Sequence, residues 1–401
     1  MTLTRRDFIK SAAAGMTAFF LPRGLTGVAA ASTTDPVLVA LFLRGAADGL
    51  NIVVPTGDPT YYSIRPTIQV PAGTELALDG FYGLNPAFAS LLPLYQSGQL
   101  AFIHASGSPD PSRSHFDCQD FMERAAPGNK TITDGWLNRY LQVSGDPAVT
   151  TAITLADAKV KSMAGPARSI AFGSISGFAL GGQSVPERRA ALDSRYALIS
   201  GTLLGGAVTD GFAALDLVGS VDTTTTVTYP AGDLAPLLKD AAALIKADIG
   251  VRVIALNLGG WDHHTDLVNR LGALAPQLAD ALAAFQQDLG PQAATTLTLC
   301  MTEFGRRAAE NGDGGTDHGH GGVMIALGGG IAGGRVITKN GQWPGLATAN
   351  LFNGEDLQVT TDFRDVFAEA LNRHMLVNVS DLAPVFPSFS VSASNFPGLY
   401  T

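Results

Sequence analysis

The feature that most constrains the fold of this chain is a series of apolar runs that each end in glycine and in acidic or imidazole side chains. The run 37–43 is nearly continuous in apolar residues, which is typical of a strand buried on both faces of a sheet. The runs 251–258 and 297–301 have the same character, and an amphipathic helix is predicted between them over 271–289. Buried strands that alternate with helices predict an α/β fold with its functional residues at the carboxyl ends of the strands.

The polar residues beside these runs are those that proteins use to bind metals. Within eighteen residues the sequence places Glu303, Asp317, His318 and His320. Carboxylates and imidazoles suit Zn²⁺, Mn²⁺, Mg²⁺ or Ca²⁺, and the imidazoles favour zinc or manganese over magnesium or calcium. We therefore expect one or two divalent ions, with seven candidate ligands: Asp48, Asp262, His264, Glu303, Asp317, His318 and His320.

Some of these residues also have a purely structural interpretation. Asp48 stands before Gly49, and an aspartate before a glycine is a common turn residue. Asp262 and His264 follow a pair of glycines, so they could form a turn with an exposed histidine. Because carboxylates recur at other apparent strand ends, the sequence favours metal binding for Asp262 and His264. For Asp48 both interpretations remain open.

Two residues are candidates for catalysis. Ser114 precedes a helix that is predicted to begin near His115, so its hydroxyl can cap that helix. In the same position the hydroxyl could attack a phosphoryl or sulfuryl group, with help from the backbone N–H groups at the helix start. Arg306 can steady an anionic substrate or pair with a carboxylate.

The amino-terminal sequence predicts export. Arg5 and Arg6 precede a short, weakly apolar stretch that ends in small residues, as in a twin-arginine signal peptide over 1–31. The alternative is an amphipathic amino-terminal helix. We expect the twin-arginine export machinery as the partner of the precursor and a mature protein in the periplasm or secreted. There, Cys118 and Cys300 could form a disulfide or remain free thiols.

The composition of the whole chain sets further limits. The chain has 401 residues and 46% of them are hydrophobic, so it can bury a sizeable core. A formal net charge of −9 argues against a nucleic-acid partner, which needs clustered Lys and Arg. No apolar stretch reaches the roughly 20 residues of a stable membrane span. No linker or internal repeat is visible, so we expect one domain over residues 32–401.

Together with the export signal, six segments of the mature chain resemble a known family. They lie at 43–51, 114–120, 260–264, 302–306, 317–321 and 361–365. The chain resembles the bacterial domain-of-unknown-function family 1501, which is grouped with alkaline phosphatase and sulfatase-like proteins. The resemblance implies an alkaline phosphatase-like fold, in which a central, mostly parallel sheet is flanked by helices on both faces and carries a metal site at its strand ends.

The resemblance also implies roles for individual residues. Asp48 would match the first aspartate of the alkaline phosphatase-like group. Ser114 would match its nucleophile, and Asp262 with His264 would match a middle metal-binding pair.

At two positions the sequence departs from the pattern of the group. Glu303 lies where a late aspartate belongs, and Phe304 occupies the place of the usual histidine. Either His318 or His320 supplies that ligand from the next loop, or one metal position is lost. Cys118 lacks the Cys-x-Pro-x-Arg context of modified sulfatase cysteines, so that type of nucleophile is not expected.

The function implied by these patterns is that of an exported, metal-dependent hydrolase of phosphate or sulfate esters that acts on a small anionic ester. The alternative is a non-catalytic exported protein that keeps the fold and binds metal, glycan or a protein partner.

Overall fold

The computed structural model describes residues 35–145, 148–181 and 185–400. The predicted signal peptide, residues 1–31, lies outside the described residues. The strands are β1 (Val37–Leu43), β2 (Val53–Val54), β3 (Leu76–Ala77), β4 (Gly83–Leu84), β5 (Leu100–Gly107), β6 (Ala152–Leu155), β7 (Ile170–Phe172), β8 (Val253–Leu258), β9 (Thr296–Met301), β10 (Gly322–Gly328), β11 (Arg335–Ile337) and β12 (Thr361–Asp362). The α-helices are α1 (Gly49–Ile52), α2 (Thr60–Ile64), α3 (Leu92–Gln96), α4 (His115–Glu123), α5 (Trp136–Val143), α6 (Val185–Ala197), α7 (Leu203–Gly219), α8 (Leu234–Lys246), α9 (Leu267–Leu289) and α10 (Phe363–Glu369).

Nine strands form one central sheet. Eight of them follow the order β11-β5-β10-β9-β1-β8-β6-β7, and β12 pairs with the end of β5. In the middle of the sheet, β1 is parallel to both β8 and β9. On either side, β6 is parallel to β8 and β7, whereas β10 runs antiparallel to β9 and β5. The predicted α/β class with a mostly parallel central sheet is therefore confirmed.

The sequence of β1 explains how the sheet is buried. All seven of its residues are buried, and successive side chains of a strand point to opposite faces. Val39 and Leu41 pack in one core with residues of α8 and α9. Leu38 and Ala40 pack in a second core with residues of α5 and α10. Helices thus cover both faces of the sheet, as predicted.

The strand order brings several loops to one edge of the sheet. The loops that follow β1, β5, β8 and β9 all leave from the carboxyl ends of strands that share one direction. Because β10 has the opposite direction, the loop that precedes it starts from this same edge. We call this edge the carboxyl edge; all the predicted site residues belong to its loops or to the segments beside them.

Two further expectations can be compared with the described residues. Cys118 and Cys300 are both buried free thiols, so the disulfide alternative is not adopted. Among the helices of the described residues, none combines the length and apolar character needed to cross a bilayer.

Candidate metal centre

Four side chains converge at the carboxyl edge, and we refer to them as the His/Asp cluster. They are His115 at the start of α4, Asp262 and His264 in the loop after β8, and His318 in the loop before β10. Ligand atoms of His115, Asp262 and His318 all lie within 4.8 Å of one another. The Nε2 atom of His264 lies 3.1 Å from Asp262 Oδ1 and 2.9 Å from His318 Nε2. Residues from three separate loops therefore share one small volume.

Each imidazole of the cluster is held through its Nδ1 atom by a group outside the cluster. The three contacts are His115 Nδ1 with Glu303 Oε1 (2.8 Å), His318 Nδ1 with the carbonyl oxygen of Arg113 (2.8 Å) and His264 Nδ1 with Asp317 Oδ1 (3.4 Å). His264 has a carboxylate oxygen beside each ring nitrogen, 3.4 Å from Nδ1 and 3.1 Å from Nε2, and is compatible with either tautomer. Carboxylate and carbonyl oxygens only accept hydrogen bonds, so the Nδ1 atoms of His115 and His318 carry the hydrogen and their Nε2 atoms keep the lone pair. This is the arrangement that fixes histidine ligands in metal sites.

The donor atoms of the cluster fit a divalent metal. At ligand bonds of about 2.0–2.1 Å, tetrahedral coordination places neighbouring donor atoms about 3.3 Å apart. Asp262 Oδ2 lies 3.5 Å from His115 Nε2, and Asp262 Oδ1 lies 3.5 Å from His318 Nε2, so these three residues supply donor atoms near this spacing. His264 Nε2 lies beside them, 3.1 Å from Asp262 Oδ1 and 2.9 Å from His318 Nε2. Moreover, His115 Nε2 is buried without a hydrogen-bond partner among the described residues. A cation would satisfy these lone pairs together, so the cluster could hold a metal ion.

The negative charge of Asp262 is fixed by Arg306. Partial burial raises the pKa of Asp262, but the hydrogen bond and charge of Arg306 outweigh it and lower that pKa to about 2. Arg306 NH2 lies 2.6 Å from Asp262 Oδ1, and the guanidinium also donates to the carbonyl oxygens of Gly45, Ala46 and Thr316. With 1% of its side chain exposed, Arg306 adopts the carboxylate-pairing alternative and positions Asp262.

The surroundings shift the pKa values of two cluster imidazoles in opposite directions. The hydrogen bond to Glu303 raises the pKa of His115. Burial lowers the pKa of His318. Of these two rings, His115 therefore takes up a proton more readily in the absence of a cation.

Glu303 and Asp317 were predicted as ligands, and the structure places both behind a cluster histidine. Glu303 Oε1 accepts hydrogen bonds from Gly45 N (2.9 Å) and Gln119 Nε2 (2.8 Å) as well as from His115. The Glu303 side chain is fully buried, so its carboxylate serves to orient His115. Asp317 lies behind His264, with half of its side chain exposed.

Two other predicted ligands, Asp48 and His320, are not brought to the cluster. Asp48 forms a buried ion pair with Arg65, whose NH1 atom lies 2.8 and 2.9 Å from its two oxygens, and it accepts a hydrogen bond from Thr316 Oγ1. Asp48 also caps α1, which is the turn interpretation of this residue. His320 is buried and stacked on Phe352 at a centroid distance of 4.4 Å, and burial lowers its pKa to about 4.

Ser114 and Phe304 occupy positions beside the cluster. Ser114 is the N-cap of α4, and its Oγ accepts a hydrogen bond from Asp117 N at 3.4 Å. The capping alternative is thus adopted, and a role as nucleophile stays a prediction. Phe304 packs its ring 4.9 Å from that of His115 and 5.0 Å from that of His318. The structure therefore brings His318 to the cluster from the following loop, next to the phenylalanine that replaces the expected histidine.

His115 is the cluster residue that the sequence did not identify as a ligand candidate. It follows β5, a strand end to which no ligand was assigned, and it starts the helix that Ser114 caps. The sequence signal that could have identified His115 is its position directly after the capping residue Ser114, which lies in the loop that follows the buried strand β5. That signal pointed to the serine hydroxyl as strongly as to the imidazole, because only the fold shows which of the two faces Asp262.

A family comparison supports the predicted resemblance. The sequence model of the family described as "Protein of unknown function (DUF1501)" matches residues 239–384. The match confirms the family resemblance over a segment that contains Asp262, His264 and His318. The resembling segments at 43–51 and 114–120 lie outside it. No curated protein matches the chain.

Several solved structures are similar to this chain at low sequence identity. A sulfatase from a Pseudoalteromonas species is 13% identical with a TM-score of 0.41, over 91% of this chain and 72% of that chain. The zinc complex of the C-terminal periplasmic domain of EcEptC from Escherichia coli is 9% identical with a TM-score of 0.35, over 74% of each chain. Alkaline phosphatase from the Antarctic bacterium TAB5 is 11% identical with a TM-score of 0.32, over 76% of this chain and 95% of that chain. At these scores the similarity by itself supports no functional conclusion.

Proposed function

We propose that this chain is an exported, metal-dependent hydrolase of phosphate or sulfate esters that works at the His/Asp cluster with one divalent ion. The observation that carries the proposal is the convergence of three imidazole Nε2 atoms on Asp262, each ring being held from behind through Nδ1. Three imidazoles favour zinc, with manganese as the next choice. One ion is proposed, because Asp48, Glu303 and His320 have other partners.

The exposure of the cluster supports a reactive role over a purely structural one. The side chains of Asp262 and His264 are 45% and 41% exposed, so a solute can reach them. A bound divalent ion would neutralise charge on an ester oxygen and activate a hydroxyl or water nucleophile. For this reaction Arg306 would hold Asp262 ionised, and Glu303 would keep the Nε2 lone pair of His115 directed into the site.

Ser114 is the proposed nucleophile, because its hydroxyl lies one residue before His115 at the start of α4. Replacing Ser114 by Ala should abolish turnover if this oxygen attacks the ester. Loss of the helix cap alone costs about 1 kcal/mol of stability, and thermal unfolding measures that effect separately. Full turnover by Ser114→Ala would instead assign the attack to water.

Metal binding without turnover is the alternative function. Two observations favour it. Ser114, the hydroxyl residue assigned to the reaction, already acts as a helix cap, and Arg306 is too buried to contact a substrate. This alternative predicts a loaded metal site and no hydrolysis of any phosphate or sulfate ester.

The first experiment is the metal content of the mature protein, purified from the periplasm without chelator and measured by elemental mass spectrometry. We expect about one equivalent of zinc or manganese per chain. His115→Ala should lose this metal, whereas His320→Asn, at a predicted ligand that lies outside the cluster, should retain it. Circular dichroism establishes that both variants are folded. Metal loss in His320→Asn with full loading of His115→Ala would show that the cluster is not the metal site.

A further inference from the structure

We propose that this site selects esters that carry a single negative charge, namely sulfate monoesters or phosphate diesters, over the dianions of phosphate monoesters. This inference rests on the proposed function and adds the charge of the substrate to it. Both preferred classes present a singly charged tetrahedral oxyanion, so they share the chemistry that the site would recognise.

The charge of the site itself favours a singly charged substrate. Asp262, Glu303 and Asp317 contribute three carboxylates, and each accepts hydrogen bonds that favour its ionised form: from Arg306, from Gly45 N and Gln119 Nε2, and from Asn311 Nδ2, respectively. Arg306 contributes one positive charge, in contact with Asp262. One divalent cation therefore brings the cluster and its supporting groups to neutrality. A neutral site has no excess positive charge for a second negative charge on the substrate.

The arginines of the surrounding loops already have acidic partners. These ion pairs are Arg44 with Glu123 (3.1 Å), Arg113 with Glu355 (3.5 Å) and with Asp356, Arg124 with Asp120 (2.9 Å), Arg306 with Asp262 (2.6 Å) and Arg307 with Glu355 (2.8 Å). A guanidinium that is free to form two parallel hydrogen bonds is a frequent partner of a phosphate group in proteins. Each of these guanidinium groups at the carboxyl edge already neutralises a carboxylate among the described residues, so its charge is not left over for a dianionic substrate.

Two exposed acidic side chains lie where a substrate would approach the cluster. The side chains of Asp262 and Asp317 are 45% and 50% exposed, and both contact His264. A substrate oxyanion that reaches the cluster therefore approaches two carboxylates. Repulsion grows with the charge on the substrate, so the dianion is disfavoured more strongly than the monoanion.

The test compares three aryl esters with the same leaving group on the metal-loaded mature protein. They are 4-nitrophenyl sulfate, bis(4-nitrophenyl) phosphate and 4-nitrophenyl phosphate at pH 8, where only the last is a dianion. We expect kcat/KM for at least one singly charged ester to exceed that for the dianion by about tenfold or more. Equal or faster hydrolysis of 4-nitrophenyl phosphate would overturn the charge inference and leave the hydrolase proposal standing.

A binding measurement separates the two proposals if no ester is hydrolysed. Substitution of cobalt(II) for the metal gives a visible spectrum that reports ligands at the site, and it can be titrated with dimethyl phosphate and with methyl phosphate. Tighter binding of dimethyl phosphate, which has one charge, would support the charge inference even where hydrolysis fails. Tighter binding of methyl phosphate would overturn it.

A charge variant tests directly whether the exposed acids repel the dianion. Asp317→Asn removes one exposed negative charge, so the preference for the singly charged ester should fall by roughly threefold to tenfold. The ratio between two substrates within one variant is insensitive to a general loss of activity. Asp381→Asn is the matched control at the opposite edge of the sheet. Asp381 belongs to the segment 379–381, which follows His374 in the chain, and the ring of His374 bonds to the carbonyl oxygen of Val37 at the start of β1. An unchanged ratio in Asp317→Asn would overturn the argument.

Discussion

Replacement of Glu303 by Gln tests the main structural claim about the site, that this carboxylate positions His115. The substitution keeps the shape of a fully buried side chain, and the amide oxygen can still accept from Gly45 N and Gln119 Nε2. What changes is the 2.8 Å hydrogen bond to His115 Nδ1, which passes from a charged acceptor to a neutral one. Hydrogen bonds to charged groups contribute about 1.5–3 kcal/mol and neutral ones about 0.5–1.5 kcal/mol.

The difference of about 1–2 kcal/mol corresponds to a metal affinity that is weaker by a factor of roughly 5–30. Outer carboxylates of known metal sites typically contribute a factor of about 10–100, which overlaps this range. The measurement is competition for zinc with a chromophoric chelator at pH 8. Since Glu303 raises the pKa of His115, protons should compete with the metal in wild type at a higher pH than in Glu303→Gln. The wild-type affinity should therefore begin to fall at a higher pH as the solution is acidified.

The control for this experiment is Glu355→Gln. Glu355 pairs with Arg113 and Arg307, its side chain is 43% exposed, and among the described residues no side chain of the His/Asp cluster forms a hydrogen bond or ion pair with it. Its replacement should leave zinc affinity unchanged. If Glu303→Gln folds normally and binds zinc within twofold of wild type at pH 8, then Glu303 does not position the ligand and the reasoning is wrong.

Three further predictions concern stability and export. Burial raises the pKa of Asp365 to about 6. The contribution of this carboxyl to stability is therefore complete below its unfolded pKa near 4 and is lost as the pH rises through about 6. Urea denaturation of Asp365→Asn should show a free energy of unfolding that is higher than that of wild type by on the order of 2 kcal/mol at pH 8 and unchanged at pH 4. Arg65→Met leaves Asp48 as an uncompensated buried charge, so it should cost about 3–5 kcal/mol, and Asp48→Asn in the same chain should recover part of this loss in the urea midpoint. Replacing both Arg5 and Arg6 by Lys should retain the precursor in the cytoplasm, as cell fractionation would show; an unaffected periplasmic yield would contradict the proposed export route.

The sequence predicted the fold class and the edge of the sheet that carries the site, because both depend on local patterns. The buried runs at 251–258, 37–43 and 297–301 correspond to three adjacent strands of the sheet, β8, β1 and β9, respectively. Parallel strands place their carboxyl ends together, so the polar residues after each run had to meet at one edge. The same reasoning identified Asp262, His264 and His318, which the structure brings together.

The sequence alone could not distinguish residues that face the site from residues that support them. Glu303 and Asp48 both follow buried strands, yet one holds His115 and the other pairs with Arg65. Which of these happens depends on the hydrogen-bond donors that the fold brings near each carboxylate: His115 lies 188 positions from Glu303 in the chain, and Arg65 lies 17 positions from Asp48.

Local pattern therefore determined the strands, their buried faces and the kind of chemistry that this protein gathers at their ends. Only the tertiary structure decided that His115 joins the cluster and that His320 does not. His320 lies two residues from His318, but the ring of His318 contacts His264 whereas the ring of His320 is buried against Phe352. A metal site requires donor atoms within a few ångströms of one another, and such distances are set by the packing of loops and not by their order along the chain.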